Sequence, residues 1–351
     1  MPVAALVAIF LVAAVAVWVA GIQLSRQTDV LSTRLRLGAA LGGLILLALA
    51  TNLPEIAIVV SAATAGQVGV AVGNILGGIA IQTVVLVAID VAVRGRRPLS
   101  HQAASLSLVL EALLVAGILA VVIASAQLPT GLHLWRFTPG AVLIAVLWVA
   151  GLLLLRRAGQ YLPWNESGEA PDNQVEPRGH SQQKAEQQAT DQGVSTARAA
   201  VIFAIAAAVT LAGGVALERS GDEIAGHIGL SGALFGATVL AAATALPEVS
   251  TGIESVRQED YQLAISDIFG GNAFLPVLFL LADLISGKAT LPHAGATNVY
   301  LTALATLLTL TYAAGLMFRP ERRRLRMGSD SIVVLVLYLI GVGGLIAMSV
   351  T

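Results

Sequence analysis

The sequence predicts an all-α membrane protein of ten transmembrane helices, built as two inverted five-helix repeats with both termini outside. Three observations predict it: long uncharged apolar stretches, a one-sided distribution of lysine and arginine, and two similar segments a constant distance apart. The chain has 351 residues, 56% of them hydrophobic and 12% charged, with a mean hydropathy of +0.83. Soluble domains carry about 25% charged residues, so water is not the main solvent of this fold. A net charge of −1 leaves no basic footprint for nucleic acid. The absence of cysteine excludes disulfides, iron–sulfur clusters and thiolate metal sites. The five histidines form no HExxH pair, so zinc-protease chemistry is unsupported. No resident cofactor is expected.

A membrane-spanning helix needs about 20 mostly apolar residues. Ten stretches qualify: 2–23, 37–63, 68–93, 103–125, 138–155, 198–217, 230–254, 262–286, 297–318 and 331–350. The first lies where a secretory leader would, but it has no basic N-terminal region and its apolar run is too long. It is therefore read as a helix. The 35 glycines suit membrane helices, where small residues let backbones approach closely. One long hydrophilic stretch, about 158–197, is rich in Gln, Glu, Ser and Pro and has no hydrophobic period. It reads as a disordered cytoplasmic linker that separates a first five-helix half, 1–157, from a second, 198–351.

Orientation follows from the basic residues. With the N-terminus outside, the inner loops hold Arg26, Arg34, Arg36, Arg94, Arg96, Arg97, Arg156, Arg157, Arg178, Lys184, Arg198, Arg257, Arg319, Arg322, Arg323, Arg324 and Arg326. That is 17 of the 20 lysines and arginines, with Arg136, Arg219 and Lys288 left outside. Positive residues concentrate on the cytoplasmic side, so N-out, C-out is predicted.

The halves match where polar residues enter the apolar spans. Ala50-Thr51-Asn52-Leu53-Pro54-Glu55 corresponds to Ala243-Thr244-Ala245-Leu246-Pro247-Glu248, and Asn74-Ile75-Leu76-Gly77-Gly78 to Asp267-Ile268-Phe269-Gly270-Gly271. Asp90 corresponds to Asp283, and every pair is 193 positions apart, as 55 is from 248. Five spans per half make the second copy enter the membrane from the opposite side. Inverted repeats of this kind build alternating-access transporters with the substrate at the repeat interface.

The chemistry lies in the same segments. Glu55, Glu248 and Asp267 fall within apolar spans that offer no lysine or arginine. A charge near the bilayer centre costs about 2.5–3.5 kcal/mol on insertion scales, so a bound cation is the best countercharge; the plainer reading is protonated carboxyls hydrogen-bonded within the bundle. Pro54 and Pro247 lack an N–H, which frees the carbonyls of Ala50 and Ala243 four residues earlier. Thr51 and Thr244 lie one turn before Glu55 and Glu248, on the same helix face. Asn74 and Asp267 add oxygens from the following helices. An all-oxygen set with two or three carboxylates suits Ca²⁺, which accepts six to eight flexible oxygen ligands, better than Mg²⁺, which keeps its waters. By residue counting, Glu55 and Asn74 lie nearer the outside and Glu248 and Asp267 nearer the inside. They converge only if the second and seventh helices are broken and offset.

The two Pro-Glu hexamers with the Asn74 and Asp267 segments resemble the paired alpha-repeats of the calcium/cation antiporter superfamily, the sodium/calcium exchangers and their relatives. The motifs cover roughly 50–90 and 243–283, and the ten-helix layout extends the resemblance to the whole chain. It implies an ion site at Glu55, Asn74, Glu248 and Asp267, and three acids with one asparagine are similar to the sodium-coupled branch. The chain departs from the family at Asn52 and Ala245, where the family carries serine. It departs again at Val70 and Leu263, where small hydroxyl residues are common and help to hold sodium. The resemblance implies a non-enzymatic secondary antiporter of the cell (inner) membrane exchanging Ca²⁺ for Na⁺. H⁺ is the alternative counter-ion, and a cation channel is a further reading.

Other polar residues rank lower. Glu111 lies mid-span with Ser107 one turn away, as a proton relay or as an acid bonded to that serine. Asp90 and Asp283 fall near span ends, where an interfacial, snorkelling or helix-end role is expected rather than ligation. Glu254 is expected to pair with Arg257, and the Arg319–Arg326 cluster is explained by topology.

Overall fold

The computed structural model describes residues 1–34, 47–129, 131–132, 135–158, 195–291 and 295–350. The start of the second predicted span, Arg36, and nearly all of the linker with Arg178 and Lys184 lie outside the described residues. The helices in chain order are α1 (Val3–Arg34), α2 (Leu47–Thr51), α3 (Leu53–Thr64), α4 (Val68–Ala92), α5 (Leu99–Ala103), α6 (Leu106–Ser125) and α7 (Pro139–Ala158). In the second half come α8 (Thr196–Ile228), α9 (Gly232–Phe235), a π-helical turn (Gly236–Leu240), α10 (Ala241–Thr244) and α11 (Leu246–Arg257). Then follow α12 (Tyr261–Phe274), a 3₁₀ turn (Leu275–Val277), α13 (Leu278–Ser286), α14 (Ala296–Phe318) and α15 (Ser329–Val350). Among the described residues there is no strand, and a single β-bridge joins Arg324 to Met327.

Among the described residues, eight helical segments are long and apolar enough to cross a bilayer. These are α1, α4, α6, α7, α8, α12 continuing through α13, α14 and α15. The remaining two predicted spans, 37–63 in its described part from Leu47 and 230–254, are divided into short pieces. Two helices outrun their hydropathy. α1 continues to Arg34, and α8 continues past Leu217 to Ile228 before Gly229 caps it at φ +71°. Arg, Glu and Ala are good helix formers, so the helix persists where the apolar run stops.

Burial places α4 and α12 at the centre: 72% and 67% of their apolar segments are enclosed by protein, against 22% for α7 and α15. The long helices α1 and α8 pack against each other beside them. Each carries a glycine that receives the other half's proline. A Cβ on Gly21 would stand 2.6 Å from the Pro247 ring, and one on Gly214 would stand 2.9 Å from the Pro54 carbonyl oxygen. Gly21 and Gly214 are themselves 193 positions apart.

A second reciprocal contact fastens the ends of the central helices. Both Asp90 and Asp283 are fully buried. Asp283 accepts from Thr138 N (3.0 Å) and Oγ1 (2.7 Å), and from Thr290 N (2.8 Å) and Oγ1 (2.6 Å). Asp90 accepts from Leu99 N (2.8 Å), Gly328 N (2.7 Å) and Ser331 Oγ (2.7 Å). Thr138 precedes α7 and Ser331 opens α15, so each aspartate binds the start of the other half's last helix. These positions are again 193 apart. Of the interfacial, snorkelling and helix-end roles expected for them, full burial excludes the first two and the helix-end role remains.

Candidate functional site

Proline makes the two breaks. Pro54 is the second residue of α3 and Pro247 the second of α11. There the missing N–H is one the helix would leave unbonded anyway, whereas in a continuous helix it would remove a bond and clash with the preceding turn. The chain therefore stops one helix at Thr51 or Thr244 and starts another at Leu53 or Leu246. Glu55 and Glu248 fall in the first turns of the new helices, where free N–H groups and the positive end of the helix dipole favour an anion.

Burial sharpens the point. Glu55 is 0% exposed and Glu248 3%, and among the described residues none of their four carboxylate oxygens has a hydrogen-bond partner. The Thr244 hydroxyl neighbours Glu55, yet it donates to its own helix, to the Ala241 carbonyl at 3.2 Å. Asn74 is fully buried on α4, and both atoms of its amide are likewise unpartnered. Buried polar groups are nearly always paired, so this concentration of unmet capacity marks a place built for something else.

The carboxylates do converge. Glu248 feels the charges of both Glu55 and Asp267. Asp267, half-buried on α12, accepts a long hydrogen bond from Thr251 Oγ1 at 3.4 Å, and the same hydroxyl lies 3.3 Å from the Glu248 carbonyl oxygen. Thr251 thus ties α11 to α12 between the two acids. Asn52 Nδ2 stands 3.5 Å from Thr51 Oγ1, and the Asn52 amide lies against Gly271, one turn beyond Asp267. Ala50, Ala243 and Ala245 are buried beside the breaks. Gly236 and Gly77 let the π-helical turn approach α4 closely: a Cβ on Gly236 would stand 3.2 Å from Asn74 N. Among the described residues no three acidic or histidine side chains are gathered as a ready-made metal shell.

Thr251, Glu218 and the partner of Glu111 escaped the sequence reading. Thr251 follows Glu248 by one helical turn, so helical spacing could have found it. Glu111 Oε1 accepts from Ser266 Oγ at 3.0 Å; the expected local partner, Ser107, is replaced by the neighbour of Asp267, since packing of α6 on α12 brings a better-placed donor. Glu111 also lines a small cavity with Trp148, Phe269 and Gly270. Glu218, which is 1% exposed, accepts from Ser61 Oγ at 2.7 Å; a span ending at Leu217 hid it. Glu254 and Arg257 form the expected ion pair, 3.7 Å apart.

Comparison with known proteins shows the family and the fold. The family model described as sodium/calcium exchanger protein matches residues 5–156 and 198–347. A relative in Alkalimonas amylolytica, named "Putative antiporter CaxA", is 27% identical over 283 residues, 80% of this chain and 81% of its own length. Among solved structures, the H⁺/Ca²⁺ exchanger CAX superposes with a TM-score of 0.66 at 14% identity, covering 98% of this chain and 86% of that one. The sodium–calcium exchanger NCX_Mj superposes with a TM-score of 0.59 at 17% identity, covering 97% and 98%.

Proposed function

Because the chain belongs to the sodium/calcium exchanger family, we propose that it is a secondary antiporter that exchanges Ca²⁺ for Na⁺ by alternating access. The observation that carries this reading is the pair of fully enclosed, unpartnered carboxylates, Glu55 and Glu248, at the starts of two proline-broken helices with Asp267 beside them. Ca²⁺ is the cargo. Glu55, Glu248 and Asp267 supply charged oxygens. Asn74, Thr51, Thr244 and Asn52, with the proline-freed carbonyls of Ala50 and Ala243, supply neutral ones.

One Ca²⁺ leaves three carboxylates a single charge short of neutral, and two or three Na⁺ would replace it without a large change in site charge. Protons on the same carboxylates are the competing counter-ion. Ala245, Val70 and Leu263 favour that second reading, because each removes a hydroxyl that would serve sodium. Asn74 and Asn52 favour the first, because neutral amide oxygens bind a metal ion and not a proton at ordinary pH.

The reciprocal contacts of Gly21 with Pro247 and Gly214 with Pro54, and of the two aspartates, support two five-helix repeats of opposite orientation. In this reading the ten spans lie in the cell (inner) membrane, with both termini outside and the linker inside. Because the chain has no cysteine, single introduced cysteines at each terminus should react with an impermeant reagent from outside, and one in the linker only after lysis. Termini on opposite faces would break the inverted repeat. For the counter-ion, purified protein in proteoliposomes should move ⁴⁵Ca²⁺ when a sodium gradient is imposed at fixed pH with the proton gradient collapsed. Flux that follows only a pH gradient would replace sodium with protons.

A further inference from the structure

The loop between α14 and α15 meets the loop after α4 at one end of the bundle, and arginine makes the joint. Arg323 donates to the carbonyls of Asp90 (2.6 Å), Val93 (2.9 Å) and Gly95 (3.1 Å), and to that of Arg326 in its own loop. A guanidinium at a helix C-terminus satisfies carbonyls that the helix leaves free. Beside it, Arg319 Nη2 donates to the His101 carbonyl at 3.3 Å, and His101 Nδ1 lies 3.1 Å from the Arg319 carbonyl oxygen. With those two arginines engaged, Arg94, Arg96, Arg322, Arg324 and Arg326 stand exposed around the joint. Among the described residues none of the five forms an ion pair, and Glu321 is the one acid in 319–328.

The tip of the loop is built against the preference of its residues. Arg324 and Met327 exchange both backbone hydrogen bonds, at 2.8 and 2.9 Å, which leaves Leu325 and Arg326 as a two-residue turn at φ +53° and +65°. Left-handed positions of that kind suit Gly and Asn, and Leu325 buries little in return, being 83% exposed. Earlier in the same segment, α14 ends on Met317 and Phe318, 68% and 86% exposed. The surface suited to acyl chains therefore runs up to the arginines, which places the loop at headgroup level. Topology accounts for arginines on this face, but not for an apolar side chain held out among them. The repeat sharpens the point. Where this end has Arg94, Arg96, Arg322, Arg324 and Arg326, the equivalent positions hold Gly287, Ala289, Pro129, Gly131 and His133. Asp283 fastens that end as Asp90 fastens this one, so the fold does not need the arginines.

We propose that these five arginines and Leu325 form a docking surface for anionic phospholipids of the surrounding membrane. The guanidinium groups pair with headgroup phosphates, which they match with paired N–H donors, and the leucine enters the apolar side of the interface. A soluble phosphorylated ligand would use the arginines alone and gain nothing from Leu325 or from the lipid-facing end of α14. Through Arg323 the surface is fixed to the last turn of α4, the helix that carries Asn74. Lipid bound there steadies this end of the central helix. The inference needs the membrane spans and not the exchange reaction, and its test uses no calcium.

The test is thermal unfolding of the purified full-length protein in detergent micelles doped with phosphatidylglycerol. Phosphatidylcholine serves as the lipid without net charge and glycerol 1-phosphate as the soluble headgroup. Phosphatidylglycerol should raise the midpoint above that in phosphatidylcholine, less so in high salt, and glycerol 1-phosphate should leave it unmoved. Arg322→Gln, Arg324→Gln and Arg326→Gln combined should raise the phosphatidylglycerol fraction giving half the effect by at least about tenfold. The midpoint of that variant in phosphatidylcholine should stay near the parent's. Leu325→Gly keeps every charge and so does not act through topology. It should raise the half-effective fraction about threefold, yet leave the midpoint in phosphatidylcholine equal or higher, since glycine suits the turn. A leucine with a merely structural role would lower that midpoint instead. Equal stabilisation by the two lipids, or by glycerol 1-phosphate, would overturn the proposal. So would a phosphatidylglycerol response that survives undiminished in both variants.

Discussion

Asp90 and Asp283 are as deeply enclosed as Glu55 and Glu248, and both pairs are related by the same 193-residue repeat. Their surroundings are opposite. Asp283 receives four hydrogen bonds and Asp90 three, from backbone N–H groups and hydroxyls: those of Thr138, Gly328 and Ser331 lie at the start of the other half's last helix, and those of Thr290 and Leu99 lie in the same half. The four glutamate oxygens receive none among the described residues. A buried charge with a full complement of donors is a fastening, and a buried carboxyl with none has unmet capacity, which the proposed ion site would use. Neither burial nor repetition separates the two kinds of acid; the donor count does.

That contrast can be broken by substitution, most severely at the glutamates. Glu55→Gln and Glu248→Gln keep size and remove a charged ligand, so each should lower ⁴⁵Ca²⁺ flux by about 100-fold with normal membrane insertion. Normal transport in both would remove them from the ion site. Asp267→Asn should come close to this, because Asp267 faces Glu248 across Thr251.

The aspartates should respond on a different axis. Asp283→Asn leaves the Thr138 and Thr290 donors without a carboxylate, and losing charge-assisted bonds costs about 1.5–3 kcal/mol each. The thermal midpoint in detergent should fall clearly, while the Ca²⁺ dependence of the surviving folded protein stays put. A shifted calcium affinity with unchanged stability would reverse the roles assigned here. The smallest effect is expected at Glu111. Glu111→Gln retains an oxygen for Ser266, so flux should change by about twofold or less; a loss as large as that of Glu55→Gln would make Glu111 a ligand.

Much of this was legible in the sequence, for reasons particular to each residue. Two Leu-Pro-Glu triplets at a fixed offset reveal broken helices because proline has no N–H to give, and the breaks stand at those positions. Residue counting put Glu55 and Glu248 at different depths, and the breaks are what let them meet. Gly21 and Gly214, or Thr138 and Ser331, share the offset but stayed silent, since glycine and small hydroxyl residues are common in apolar helices. Their meaning appears only with the partner across the fold. The same holds for Glu111: local spacing offered Ser107, and only tertiary packing offers Ser266. Helix ends at Arg34 and Ile228 were missed because hydropathy reports the membrane, not the helix. The π-helical turn at Gly236–Leu240 had no sequence signal.

The most direct test of the difference between the two pairs of acids is calcium-dependent thermal stabilisation of the purified protein and its variants. A ligand that binds only the folded state raises stability by RT ln(1 + [L]/Kd), about 2.7 kcal/mol at 100 times Kd. The parent should gain stability with added Ca²⁺. Glu55→Gln and Glu248→Gln should start as stable as the parent and gain nothing, whereas Asp90→Asn and Asp283→Asn should start lower and gain as much as the parent. Calcium stabilisation that survives in the glutamate variants and vanishes in the aspartate variants would contradict the account.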